Sequence, residues 1–336
     1  MDVTDLGTRF GVDVSTPNAT ELHVFDGVVE VARHPVLPGQ SATRKTLKHE
    51  QAAIARAEDS ELVDIPIRSA SFVTEPALLA LAYPRWVAAG EQLRRDPAVI
   101  AHYAVTGETQ RDRLENLVRR GIGEASLEHM RWAQGRFPQT KSARFGADET
   151  VFAISDPATR DELTFAMWAY IDQADAPYSA LISSDFWDLP GQVHWQIERS
   201  GPDDQLGMSF GVRGQGGERL TRARSMEALT EDDLGRWVHL AVSASRVTGQ
   251  VAFYVDGELR ATADGIQTAQ PIRLGDARVG AFHSNAKSPP PWDRRFFGRV
   301  DEVLMMSRAL NPEEIQALYL NGSHEQKSVT NPDQLK

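Results

Sequence analysis

Between residues 146 and 322 apolar side chains recur at every second position in one short run after another, the rhythm of half-buried β-strands rather than helices. Leu163, Phe165, Met167 and Ile171 fall on one face of such a run, with Trp168 and Tyr170 on the other. Val193, Trp195 and Ile197 alternate with His194, Gln196 and Glu198, and Val238, Leu240 and Val242 follow Trp237 in the same way. Val251, Phe253 and Val255 lead into Asp256-Gly257, a dipeptide suited to the positive φ angles of a two-residue hairpin, and the chain returns through Leu259 and Ala261. Strands of this length, regularly spaced with turn residues between them, predict an antiparallel sandwich or barrel. Asn311-Pro312-Glu313-Glu314 then offers an N-cap, a proline at the first helical position and a carboxylate at N3. This capping box predicts a short helix with Ile315, Leu318 and Tyr319 toward the core.

The 336 residues leave room for about two domains. Residues 1–68 open with strand-like alternation in Thr8 to Val14. Glu21 to Phe25 and Val28 to Val31 then flank Asp26-Gly27, which predicts a second tight hairpin. Three strands hardly close a core alone, so this zone is expected to be part of a domain. Residues 69–145 read as a partly helical linker. Thr74-Glu75-Pro76 resembles a helix start, Pro84 and Pro97 are expected to interrupt helices, and Arg111–Arg120 has Leu114, Leu117 and Val118 on one helical face before a stop at Gly121. Residues 323–336 are expected to form a flexible tail.

A formal charge of −11 disfavours binding to phosphate backbones, so no nucleic-acid partner is expected. The absence of cysteine excludes disulfides, thiolate metal sites and a cysteine nucleophile. No apolar run approaches the roughly 18 residues of a membrane span, the run around Ala77–Ala82 ending near Pro84. The N-terminus shows neither a basic leader nor an apolar export core.

Four elements occur in an order that resembles LamG-like jelly-roll domains of the concanavalin A-like group. They are Leu163-Thr164-Phe165-Ala166-Met167-Trp168, Trp237-Val238-His239-Leu240-Ala241, Tyr254-Val255-Asp256-Gly257, and Phe297-Gly298-Arg299-Val300-Asp301-Glu302-Val303. The last is followed by Arg308-Ala309-Leu310-Asn311-Pro312-Glu313-Glu314-Ile315, similar to the "R-A-L-x-x-E-E-I" ending. This resemblance implies a mainly β, antiparallel jelly-roll β-sandwich over 146–322. The first zone resembles the C-terminal half of a FecR-type domain: Gly7-Thr8-Arg9-Phe10 matches its "G-T-x-F" strand, His23 to Val31 its hairpin, and Leu37-Pro38-Gly39-Gln40 its "L-x-x-G-Q" exit. That likeness, as in planctomycete-type FecR/LamG proteins, implies an extracytoplasmic regulator working with a sigma factor. The chain is expected to begin partway through the FecR-like unit, as the outer part of a longer protein or a truncated descendant of one.

Gly207-Met208-Ser209-Phe210-Gly211 has the spacing of a nucleophile elbow but lies among strands, without the strand-to-helix turn that such a serine needs. Gly121-Ile122-Gly123 begins a dinucleotide-like pattern that Ser126 breaks, and despite nine histidines no zinc spacing occurs. Hydrolysis of a glycosidic bond requires two carboxyl groups about 5–10 Å apart across a cleft. Asp301 and Glu302, adjacent in a predicted strand, are expected on opposite faces, and no strand carries an E-x-D-x-E array. In jelly-roll relatives the aspartate of the final core strand helps hold a structural calcium. The resemblance therefore implies Ca2+ at Asp301, with Asp148 and neighbouring Glu149 as partners; the competing expectation is that Asp301 accepts hydrogen bonds from a nearby loop. Asn18-Ala19-Thr20 and Asn321-Gly322-Ser323, which match glycosylation acceptors, are expected to be ordinary turns.

Sugar recognition combines aromatic faces with polar groups that fix hydroxyls. Ser184-Asp185-Phe186-Trp187-Asp188, Gln192–Gln196 and the loop at Trp292 hold both kinds of residue. Asp185, Trp187, Asp188, His194 and Trp292 are the candidate ligand-binding residues, while Trp195 is expected in the core and Trp168 between the sheets. The leading expectation is a non-catalytic, extracytoplasmic binding module for carbohydrate or another surface ligand, within a FecR-like sensor. A glycoside hydrolase or lyase, and a purely structural or adhesive module, are the alternatives.

Overall fold

The computed structural model describes residues 2–324 apart from 6–7, 35–42, 58, 60, 70–71, 73–74, 109–111, 147–149, 202–203, 215–220, 267–269 and 284–293. The chain forms two compact units, Met1–Leu78 and Leu79–Lys336.

The first unit contains β1 (Asp2–Asp5), β2 (Arg9–Asp13), β3 (Ala19–Asp26), β4 (Val28–Arg33), β5 (Thr43–Lys48), β6 (Gln51–Arg56) and β7 (Val63–Ile65). They form two sheets, ordered β1-β4-β5 and β2-β3-β6-β7. Leu22 and Val24 from one sheet share a core with Val29, Val31 and Leu47 from the other. The hairpin expected at Asp26-Gly27 is therefore not formed: β3 pairs with β2 and β6, and β4 with β1 and β5. A type I′ hairpin needs both central residues left-handed, and here only Gly27 is, at φ 84°. The dipeptide instead carries the chain from one layer to the other, so that alternate residues on both sides of it reach one core. The Leu37–Gln40 match and Gly7 lie outside the described residues.

The second unit takes in α1 (Glu75–Leu93) from Leu79 onward, then β8 (Val99–Ala104), β9 (Arg113–Leu114), β10 (Ala125–Glu128), β11 (Arg131–Gln134), β12 (Lys141–Phe145), β13 (Val151–Arg160) and β14 (Glu162–Gln173). It continues with β15 (Tyr178–Ser184), β16 (Val193–Ser200), β17 (Gln205–Val212), β18 (Thr221–Ser225), β19 (Trp237–Ser245), β20 (Gln250–Val255), β21 (Glu258–Asp264), β22 (Ile272–Val279), β23 (Phe297–Met306) and α2 (Pro312–Gly322). The front sheet runs β11-β12-β23-β14-β19-β20-β21, with β8 also on β23; the back sheet runs β18-β17-β16-β15-β22-β13-β10-β9. Between them the alternating residues meet as the sequence predicts. Leu163, Phe165, Met167 and Ile171 face Val193, Trp195, Ile197 and Phe210 in one continuous core. Trp195 is fully buried, its ring stacked 6.1 Å from that of Phe165. Each such side chain contributes about 1.5–3 kcal/mol by leaving water, which makes this sandwich the rigid frame for everything on its outer faces.

Residues 69–145 depart from the linker expectation, because β8 to β12 all pair into the two sheets. No helix forms over the described residues 112–120. Asn116 pins that segment instead, its Oδ1 accepting from the amides of His102 and Val118 and its Nδ2 donating to the carbonyls of Ile100 and Ile122. Pro84 does not interrupt α1. Ala82, Trp86 and Gly90 form its buried stripe, whereas Pro84 lies exposed with Ala80 and Leu81, where water can serve the carbonyl a proline leaves unpaired. The helix start expected at Thr74 lies outside the described residues.

The Asp256-Gly257 hairpin forms as expected, with φ of 52° and 75°. The capping box of α2 is complete: Asn311 Oδ1 accepts from the Glu314 amide at 2.9 Å, and a Glu314 carboxylate oxygen accepts from the Asn311 amide at 3.0 Å. Ile315 and Tyr319 are buried under α2. Asn321, expected in a turn, belongs to the last turn of this helix. Trp168 lies on the outer face of the front sheet, not between the sheets, and stacks 5.7 Å from Tyr319.

One register shift corrects the reading of the paired acids. Glu302 pairs with Trp168 and Val300 with Ala169, so Asp301 is an extra residue on β23. Val300 and Val303, three apart, both enter the core. Within this β-bulge Asp301 and Glu302 therefore share the outer face instead of opposing each other.

Candidate functional site

The back sheet turns a polar face outward, opposite its core side chains. Alternation places His194, Gln196 and Glu198 of β16 there, and β17 contributes Gln205, Gly207, Ser209 and Gly211. Strand register aligns one row across five strands: Arg222 opposite Gly211, Gly211 opposite His194, His194 opposite Ser183, and Ser183 opposite Arg278. At a strand spacing of about 4.8 Å, the row is roughly 19 Å long.

The loop after β15 closes one side of this row. Phe186 and Trp187 are both left-handed, at φ 66° and 51°, a conformation that costs bulky residues free energy and persists only where the surroundings impose it. Gln192 supplies that constraint. Its Oε1 accepts from the amides of Asp188 and Leu189, and its Nε2 donates to the Asp185 carbonyl at 2.8 Å. Trp187 is thereby set against His194 with ring centroids 3.8 Å apart, and Phe282 meets the same imidazole edge-on at 4.7 Å.

His194 is buried, and its pKa is pushed down to about 3 by that burial and by the Arg294 cation. As a neutral ring it can donate from Nε2 to the Ser184 carbonyl, 3.3 Å away, and accept at Nδ1 from Arg294, 3.4 Å away. Arg294 lies over the rings of Tyr178 and Phe282, 5.0 Å from each centroid. Asp185 is mostly buried and its pKa is raised by burial, against the pull of Arg278 and His283. Arg278 donates to it at 3.3 Å and to His283 Nδ1 at 2.8 Å. Glu198, fully buried, is paired with Arg222 and, at 3.5 Å, with Arg224. Across this face Ser183 Oγ, Gln196 Oε1, Arg222 Nε and Arg294 Nε are buried without a hydrogen-bond partner.

Of the candidate ligand residues, Asp185, Trp187 and His194 are thus brought together. Asp188 is exposed on the same loop, and Trp292 lies outside the described residues.

A family model described as the concanavalin A-like lectin/glucanases superfamily matches residues 145–316. The chain belongs to this superfamily. No curated protein sequence matches it. Among solved structures, the binding domain of Paraclostridial Mosquitocidal Protein 1 is similar with 14% identity and a TM-score of 0.48, over 68% of this chain and 52% of that one. Domain 4 of AbnA, a GH43 extracellular arabinanase from Geobacillus stearothermophilus in complex with arabinotriose, gives 16% identity and a TM-score of 0.45, over 66% of this chain and 98% of that one. The receptor binding domain of botulinum neurotoxin D gives 11% and 0.48, over 66% and 52%. The chain spans about half the length of the mosquitocidal and neurotoxin structures.

Elsewhere on this concanavalin A-like sandwich, Ser209 sits mid-strand, 1% exposed, 3.3 Å from the Gln196 Nε2 that donates to it. No strand-to-helix turn surrounds it. Asp301 Oδ2 accepts from the Arg136 amide and from the Thr140 hydroxyl, as the loop reading expects. Calcium needs six to eight oxygen donors. The described surroundings of Asp301 provide hydrogen-bond donors and the Arg136 cation, and among the described residues no group of three His, Asp or Glu side chains could hold a metal. Asp148 and Glu149 lie outside the described residues.

The front sheet carries a cavity of about 280 Å³ between α1 and α2, lined by Trp86, Leu304, Met306, Leu318, His239 and Glu302 among others. Its carboxylate is already engaged: Glu302 takes the Trp86 indole N–H at 2.8 Å and Arg136 at 3.3 Å, and lies 2.6 Å from His102 Nε2. These partners outweigh burial and hold its pKa at about 2. Arg136 is itself buried, 4.1 Å from the Trp168 ring centroid. This network ties α1 to the sheet, and within it Arg136 Nε and Nη1 and His239 Nδ1 are buried without a hydrogen-bond partner.

Ser183, Arg278, Phe282 and Arg294 escaped the sequence reading as site residues. Alternation against Ala277 and Val279 could have flagged Arg278. Ser183 and Arg294 become visible only through strand register and the return of a distant loop.

Proposed function

We propose that this chain is a non-catalytic binding module that recognises carbohydrate on the outer face of its back sheet. One observation carries the reading: four buried polar atoms, on Ser183, Gln196, Arg222 and Arg294, have no partner beside the rings of Trp187, Phe282 and Tyr178. A buried polar group without a hydrogen bond costs about 1–3 kcal/mol, and sugar hydroxyls, which both donate and accept, complement a face that carries both acceptors and donors. The aromatic faces suit the C–H surfaces of the rings. The FecR-like motifs of the first unit support placing this module in an extracytoplasmic regulatory protein, where ligand capture would be read by parts beyond the sandwich.

Glycan arrays followed by calorimetry test the reading. Trp187→Ala and Gln196→Ala are each expected to weaken a glycan hit at least tenfold with the thermal midpoint changed by only a few degrees. Uniformly blank arrays, or hits indifferent to both substitutions, would remove it.

A further inference from the structure

Around the His194–Ser183 row, Arg222, Arg224, Arg278 and Arg294 meet two buried carboxylates, Asp185 and Glu198; Asp188 and Asp276 are exposed, and His194 is neutral. Asp185 is paired with Arg278, and Glu198 with Arg222 and Arg224. Arg294 is left over. Among the described residues no carboxylate pairs with it; its neighbours are two aromatic rings, the lone pair of His194 and the like charge of Arg222. Burial weighs against its charge, and its Nε has no partner. A half-buried guanidinium with no counter-ion among the described residues is unfavourable by itself and becomes favourable once an anion arrives. Guanidinium presents a planar fork of donors that matches carboxylate or sulfate oxygens bidentately. Its position is also fixed: the rings of Tyr178 and Phe282 back it, and His194 accepts from Nη1, while Nε is left without a partner.

We infer that the glycan taken by this face is acidic, with a carboxylate or sulfate ester of one sugar seated on Arg294 beside the His194–Ser183 row. The inference rests on the carbohydrate reading above and narrows it to one chemical class.

A matched pair of probes decides it: an oligogalacturonate and the same oligosaccharide fully methyl-esterified, which keeps the hydroxyls and removes the charge. A sulfated galactan oligosaccharide, run in parallel, separates sulfate from carboxylate as the source of the anion. Binding of either acidic probe at least tenfold tighter than the ester is expected, weakening as salt rises from 50 to 500 mM. Arg294→Gln should weaken both probes but cost the acidic one at least tenfold more than the ester, while Arg294→Lys should regain part of that difference. Melting curves confirm that both variants fold, and Arg224→Gln, at the edge strand, controls for general surface charge with an effect below threefold. Equal binding of ester and acid, or an acidic affinity untouched by Arg294→Gln, would overturn the inference while leaving carbohydrate recognition standing. Failure of every probe, neutral and acidic, across the array would remove both.

Discussion

Glu302→Gln tests the buried network on the front sheet most sharply. The substitution keeps the shape of the side chain and one acceptor for Trp86, but it removes the charge that faces Arg136 and the oxygen 2.6 Å from His102. A carboxyl held at about 2 rather than 4.5 is favoured in its charged form by roughly 3 kcal/mol, at 1.36 kcal/mol per pKa unit. Breaking a buried pair from one side typically costs about 3–5 kcal/mol, because the partner stays charged and buried. Both routes predict a loss of about 3 kcal/mol at pH 7, or about 10 °C in melting temperature for a unit of this size. Urea unfolding followed by tryptophan fluorescence measures it, since Trp86 and Trp168 flank the network. The sign with pH is fixed as well. The folded pKa of Glu302 lies below its unfolded value, so its contribution is complete above pH 4.5 and fades as pH falls toward 2. The gap between wild type and Glu302→Gln must therefore shrink at pH 3. Arg136→Met in the Glu302→Gln background should recover part of the loss by removing the stranded cation. A gap below 1 kcal/mol at pH 7, or one that does not change with pH, would refute the reasoning.

Three further outcomes are expected. His239 is buried neutral with a pKa lowered to about 4 by burial, so the unfolded chain takes up its proton first and stability falls as pH drops from 6.5 toward 4; His239→Asn should flatten that limb in pH-dependent melts, and an unaltered slope would contradict it. Gly257→Val places a branched side chain at φ 75° with its Cβ 2.8 Å from that of Tyr319, and should destabilise by about 2–3 kcal/mol; a melting point within 2 °C of wild type would count against the turn geometry. Asn116→Ala removes four hydrogen bonds from a segment without a helix of its own, and should raise amide exchange across 100–122 and cost about 2–4 kcal/mol; unchanged protection of those amides would sink the pinning role.

The sandwich was legible because its signal is local and repeated. Trp195 between His194 and Gln196 announces its own burial, and the α2 capping box is complete within four residues. What stayed hidden depends on residues far apart in the chain. Asp26-Gly27 has the chemistry of a hairpin turn, yet whether the next strand pairs back or crosses to another layer is decided by β5 and β6. The bulge at Asp301 does leave a mark, the three-residue step from Val300 to Val303 inside an otherwise alternating strand, and that step reverses the deduction about Glu302. Arg111–Arg120 has helical spacing, but Asn116 can satisfy the backbone without a helix. For the candidate site, the aromatic and acidic residues of the loop could be picked out from the sequence, whereas the row from Arg222 to Arg278 draws one residue from each of five strands and has no sequence motif at all.

The Gln192 clamp on the Asp185–Leu189 loop has a kinetic consequence. For the binding proposed above, a loop whose left-handed turns are already fixed by the Gln192 side chain has little disorder to lose, so docking should be a single encounter step. Stopped-flow rates would then rise linearly with ligand concentration, without the plateau that signals a slow closing motion.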